Sequence, residues 1–336
     1  MQNLALQKLN KAKEYEGRSS FWEAAQKYQE ALLEFNKLSS FESEKGLCKK
    51  KIREMNAKKS EDFKEVSAEH EFTDEQKKQL NDFINSFVAI ENTKELLDKI
   101  GGDRAFCPNY ARVQTSSQEN MPVSFLIANL TTQDAEGNLI RGGHDPNAVS
   151  FTQNYGIEQG LIIRLYLLPI FHRIMDEKLN IQNLSDYFRS KEIFTEDFLK
   201  ILDVAIERFF AADYVSTLHI LVPKFEKVFL DLTGALEGSA DTIAARTQKG
   251  AKEQVWTQDR TLSEDFLKNE TTRKIWGEDF CEQITFVFFS PLGYKLRHKI
   301  AHGYSKINEL NFQSSVLVLY FFLVLAARVK KVKKQL

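Results

Sequence analysis

Close to its C-terminal end the chain reads Ser290-Pro-Leu-Gly-Tyr-Lys-Leu-Arg-His-Lys-Ile-Ala-His-Gly-Tyr304. Arg297 stands directly before His298, and His302 follows at five residues from Arg297. Two of the six histidines of the chain fall here, and the charged residues of the stretch, Lys295, Arg297 and Lys299, are all basic. Histidine titrates near neutrality, so it can take or give a proton. Arginine keeps its charge and can grip two oxygens of one phosphate. On an ideal helix, steps of about 100° leave positions 297 and 302 about 140° apart. They would not share a face of a straight helix. Either the helix ends or bends between them, with Pro291, Gly293 and Gly303 as available breaks, or a second copy supplies the missing half.

The pattern from Arg297 to Gly303 resembles the signature of the HEPN superfamily, small all-helical domains of which many are metal-independent ribonucleases. The chain from about Tyr155 onward is similar to an uncharacterised domain family with a HEPN-like core. There, a helix like His219–Glu226 precedes the Arg-His motif. The resemblance implies an endoribonuclease in which His302 is the acid/base and Arg297 stabilises the phosphorane charge. His298 would orient the pair or contact the phosphate. Glu226 would hold Arg297 through a charge-assisted pair. Tyr304 or Tyr294 would stack on a base, with Lys295 and Lys299 as further substrate-side residues. It also implies a homodimer whose two motifs face each other across a cleft, a single-stranded or loop RNA substrate, no metal or other cofactor, and a setting in stress response or phage defence, as a toxin-like nuclease. The plain alternative keeps the same residues without chemistry. Arg297 then pairs with a buried glutamate, His302 donates to a backbone carbonyl, and the chain is a non-catalytic helical adaptor.

Composition sets the frame. The 336 residues are 43% hydrophobic, enough for one large or two modest cores. The formal charge of −1 gives no global field to attract nucleic acid, so any such site is a local patch. Cys48, Cys107 and Cys281 are far apart, with no CxxC, so neither a zinc site nor a disulfide framework is expected. That fits a reducing compartment, and Met1-Gln-Asn-Leu carries no signal pattern, so a cytoplasmic location is expected. No Gly-rich phosphate loop, HExxH or GxSxG occurs. Val316–Ala327 is apolar on all sides and is followed by a basic tail. A spanning helix needs roughly 20 apolar residues, so a place in the centre of a bundle, and no membrane, is expected.

The elements that must position Arg297 and His302 read as helices. Leu4, Leu6 and Leu9 open one helix, Gly17–Ser20 break it, and Trp22, Ala25, Tyr28, Ala31, Leu32 and Phe35 mark an amphipathic second. This pair is like one tetratricopeptide-type hairpin, a possible dock for a protein partner. Residues 43–66 are dense in charge of both signs, as a solvated face is. Thr73-Asp-Glu-Gln76 offers a capping box for a helix running to about Lys99. Residues 101–150 hold three prolines and five glycines, with a β-hairpin expected around 120–142. Then come a helix kinked by Pro169, a helix capped at Thr195, a helix over about 215–236 bent by Pro223, a polar loop or exposed helix over 237–262, and helices from Ser263 and over 276–290. The expectation is an all-α protein with a small β-hairpin insertion, divided as a 1–100 helical region, a 101–154 connector and a 155–336 HEPN-like bundle.

Overall fold

The structure, a computed structural model, describes residues 2–58, 61, 71–119, 146–237, 243–247, 255–259 and 261–332. These residues are mainly helical and fall into two units, one up to Glu71 and one from Phe72 onward. The division therefore lies near residue 71, not near 100. The reason is packing, since the helices between 74 and 102 bury Ile84, Phe87, Leu96, Leu97 and Ile100 in the core of the second unit. The β-hairpin expected around 120–142 lies outside the described residues.

In the first unit α1 (Gln2–Gly17), α2 (Phe21–Asn36) and α3 (Glu42–Lys58) pack through a small core. Alanines 5, 12, 24, 25 and 31 let the helices approach closely around Tyr28 and Phe35. Glu16 ties all three together, accepting from the Tyr28 hydroxyl at 2.5 Å and from Lys51 Nζ at 2.6 Å. The predicted hairpin is thus completed by a third helix. The charged stretch after 43 is not wholly solvated, because it sends Cys48 and Met55 inward.

The second unit begins with α4 (Asp74–Val88), whose Thr73–Gln76 capping box forms as its sequence dictates. The helix expected to reach Lys99 breaks instead after Val88. Asn92 then caps α5 (Thr93–Gly102), accepting from Lys94 N at 2.9 Å. α6 (Tyr110–Glu119), α7 (Pro146–Ile162), α8 (Leu168–Glu177), α9 (Ile181–Arg189), α10 (Glu196–Phe210) and α11 (Tyr214–Glu237) follow. Pro169 has no N–H to donate, and the chain answers with a wider π turn over Ile163–Leu167, closed by Leu168 N onto Ile163 O.

Within 237–262, expected as a loop or exposed helix, the described residues include two strands. These form an antiparallel ribbon, β1 (Ile243–Thr247) on β2 (Val255–Asp259), with Ala245 opposite Thr257. Next come α12 (Glu264–Lys268), α13 (Glu270–Trp276), α14 (Glu278–Ile284), a second π turn over Thr285–Phe289, α15 (Leu296–Ala301) and α16 (Phe312–Val332). In α16 every side chain from Val316 to Ala327 is buried. Its window Phe312–Val329 is long and apolar enough to cross a membrane by length and composition, yet 78% of it is buried inside the unit. Phe225, Phe288, Phe321 and Phe322 meet there, with Phe225 5.1–5.6 Å from each of the other three rings.

Candidate active site around Arg297

The motif sits on α15, a helix of six residues held between two backbone devices. Upstream, the π turn closes with Ser290 N donating to Thr285 O at 2.8 Å. The wide turn leaves the Phe286 carbonyl to accept from Tyr294 N at 3.1 Å. Gly293 lies against that carbonyl, where a Cβ would come within 2.0 Å of the oxygen. Lys295 then takes a left-handed conformation at φ 54° and starts α15. Downstream, Gly303 at φ 69° ends it in a Schellman motif. Tyr304 N donates to Lys299 O at 2.7 Å and Gly303 N to Ile300 O at 3.3 Å. Leu296 and Ile300 face the core and fix the roll of the helix.

That roll turns Arg297 toward α11. Its Nε donates to Glu226 Oε2 at 2.7 Å and its Nη2 to Glu226 Oε1 at 3.2 Å. The guanidinium also lies 5.7 Å from the Phe289 ring centre, and the Arg297 side chain as a whole is 36% exposed. A guanidinium has five N–H donors in a planar fork. Glu226 occupies one edge of that fork and leaves the Nη1–Nη2 edge undirected toward it. Glu226 Oε1 also accepts from the backbone N of Leu262 at 3.0 Å.

The histidines assemble on another side of α15. His298 and His302, one turn apart, have ring centres 4.5 Å apart. The Schellman turn brings the Tyr304 ring back over both, 5.9 Å from His298 and 6.0 Å from His302, stacked on the latter at 24°. His302 and Tyr304 are exposed, Tyr304 by 60%. The helix ends at His302 itself and not between Arg297 and His302.

The lysines divide. Lys295, at the head of the helix, makes no ion pair among the described residues. Lys299 is buried, and its Nζ donates to Glu309 Oε1 at 2.6 Å. A substrate role for Lys299 is therefore corrected: its ammonium is spent inside the fold. Burial pulls the Glu309 carboxyl up, but bonds from Lys299 Nζ and Lys306 N outweigh it and hold the group below the ordinary value. Tyr294 is likewise turned inward, edge-on to Phe286 at 5.3 Å, and burial pushes its phenol up, so it is not the stacking residue. His219 Nδ1 donates to Val215 O, 2.8 Å away on its own helix, rather than joining Glu226.

Two participants gave little sign in the sequence. The Leu262 amide gave none, because a backbone donor is invisible in residue type. Glu309 did leave a signal, since it is the sole acidic residue after Glu282, and a lysine buried in this region has no other carboxylate nearby in sequence. Among the described residues no group of three or more His, Cys, Asp and Glu is placed to hold a metal ion. A hollow of about 790 Å³ lies elsewhere in the unit, beside Phe83, Arg104, Arg112, Glu158 and Tyr166, and no expected site residue lines it.

Comparison with protein-family models, characterised proteins and solved structures returns no match. The chemistry at Arg297 rests on the residues themselves.

Proposed function

We propose that this protein is a HEPN-type endoribonuclease, independent of metal, that cuts single-stranded or loop RNA with the RNA's own 2′-OH as nucleophile. The observation that carries the reading is the Arg297 fork. Glu226 fixes its Nε–Nη2 edge, leaving the Nη1–Nη2 edge for a phosphate, on the same short helix as the His298–His302–Tyr304 cluster. Arg297 stays one-third exposed while held by Glu226, which leaves it open to an anionic ligand.

In this reading a histidine removes the 2′-OH proton and the oxygen attacks the adjacent phosphorus. The bond to the 5′-oxygen breaks, and a second proton donor protonates that oxygen. His302 is the acid/base, His298 orients it or contacts the phosphate, and Arg297 stabilises the charge on the phosphorane. Tyr304 offers its exposed ring to a base. Because Arg297 is turned to α11 while His302 lies with His298, a homodimer that faces two motifs supplies the complementary half. The resemblance suggests a setting in stress response or phage defence, and the three unpaired cysteines suit a cytoplasmic one.

The test is RNA cleavage in the presence of EDTA with end-group analysis of the products. Ends carrying 2′,3′-cyclic phosphate and 5′-OH, loss of cleavage in His302→Ala, and inert DNA are expected. Intact RNA across a diverse set of substrates would defeat the reading. A second reading, a non-catalytic interaction module, has its own observation. Tyr304 and Ile307 stand 60% and 76% exposed on one loop, as residues that dock a protein do. Undiminished capture of one partner by His302→Ala would favour it.

A further inference from the structure

We propose that the backbone N–H of Leu262, at the foot of the β1–β2 ribbon, is a positioning group for Arg297, acting through Glu226; the inference rests on the ribonuclease reading above.

Glu226 accepts three bonds of fixed direction, two from Arg297 and one from Leu262 N. The last torsion of a glutamate is broad and roughly two-fold, so a carboxylate met by arginine alone can rock about its axis. A third donor from outside the fork removes that freedom. The donor is itself anchored. The Leu262 side chain is buried in the same core as Phe266 and Leu267, and the next residue, Ser263, caps α12 by accepting from Phe266 N at 3.2 Å. Three residues before Leu262 in the sequence, β2 ends at Asp259. Leu262 lies 36 residues from Glu226, and Arg297 lies 71 residues from it. The Leu262–Glu226–Arg297 relay therefore ties the ribbon end of the chain to the direction of the phosphate-facing edge. The Glu226 side chain is only 19% exposed, so water is a poor substitute for the lost amide.

The experiment removes that N–H and keeps everything else. Leu262 is replaced by its α-hydroxy acid analogue, which turns the amide into an ester and retains the side chain; Leu262→Pro is the simpler genetic counterpart. RNA cleavage is measured as kcat and KM, and the Arg297 Nε–Hε resonance is followed by NMR. The expected result is a fall in kcat of about 10–100-fold with a smaller change in KM, as slight misplacement of a charge stabiliser produces. The Arg297 resonance shifts or broadens in both variants, at unchanged helical content. Wild-type kcat and an unmoved Arg297 resonance in the ester variant would overturn the relay. If wild-type protein cuts no RNA, the ribonuclease reading fails by itself, and the resonance still decides whether Leu262 positions Arg297.

Discussion

Two cations two positions apart on α15 meet opposite fates. Arg297 turns to α11, shares one edge with Glu226 and keeps its side chain about one-third exposed. Lys299 turns to the 303–311 loop, is buried, and ends on Glu309. Sequence chemistry alone treats both as positive charge near a substrate. The difference teaches that a planar fork can be held and still offer donors, whereas a buried ammonium bound to a carboxylate is consumed by the fold. The Arg297 side of the helix is built for presentation, and the Lys299 side for closure of a loop.

The sharpest way to break this comparison is to truncate each side. Arg297→Ala and His302→Ala are expected to lower the cleavage rate by 10²–10⁴-fold, roughly what a lost charge stabiliser or acid/base costs. The double variant should fall no further than the worse single one, because both act on one transition state. Unfolding should respond far less than activity, by about 1–3 kcal/mol for Arg297→Ala, which leaves the part-buried Glu226 with the Leu262 N–H as its remaining donor. A denaturant midpoint that drops as steeply as activity would make Arg297 a structural residue after all.

Lys299→Ala should do the reverse. Stranding Glu309 and opening a core position should cost about 2–3 kcal/mol, below the figure for a fully buried pair because Glu309 still reaches water. Cleavage per folded molecule should hold. If Lys299→Ala removes activity at unchanged stability, the division between the two sides is wrong. Tyr304→Ala is expected to weaken RNA binding by about 1 kcal/mol, the low end for loss of one stacked base. Its effect on unfolding should stay within about 0.5 kcal/mol, since the ring is exposed. Affinity for a non-cleavable 2′-deoxy oligonucleotide reads the first effect.

The smallest effect is in pH. The Glu309 carboxyl is held below its usual 4.5 in the folded chain. Its contribution is therefore complete above that value and lost as pH falls through the depressed folded value. Wild-type stability should decline on acidification below about 4.5, and Glu309→Gln should flatten that part of the curve. An unchanged acid limb in Glu309→Gln would mean that the Lys299 pair adds nothing.

Local signals made much of the helical scaffold legible. The Thr73 and Thr195 caps, the Gly17 break and the Gly303 stop all act within three or four residues, so residue type suffices to find them. The pairing of Arg297 with Glu226 was legible only through the resemblance, in which a helix like His219–Glu226 precedes the motif; residue type alone does not single out Glu226. What the tertiary structure alone decided was direction and partner. It sent Lys299 and Tyr294 inward, turned an expected kink at Pro169 into a π turn, paired the ribbon strands at 243–259, and moved the unit boundary to residue 71. It also aimed the Leu262 amide at Glu226 from 36 residues away. Spacing fixes which side chains can share a helix face. Which of them remains open to a substrate depends on the elements that fold back to cover the others, and those are set by packing across long stretches of chain.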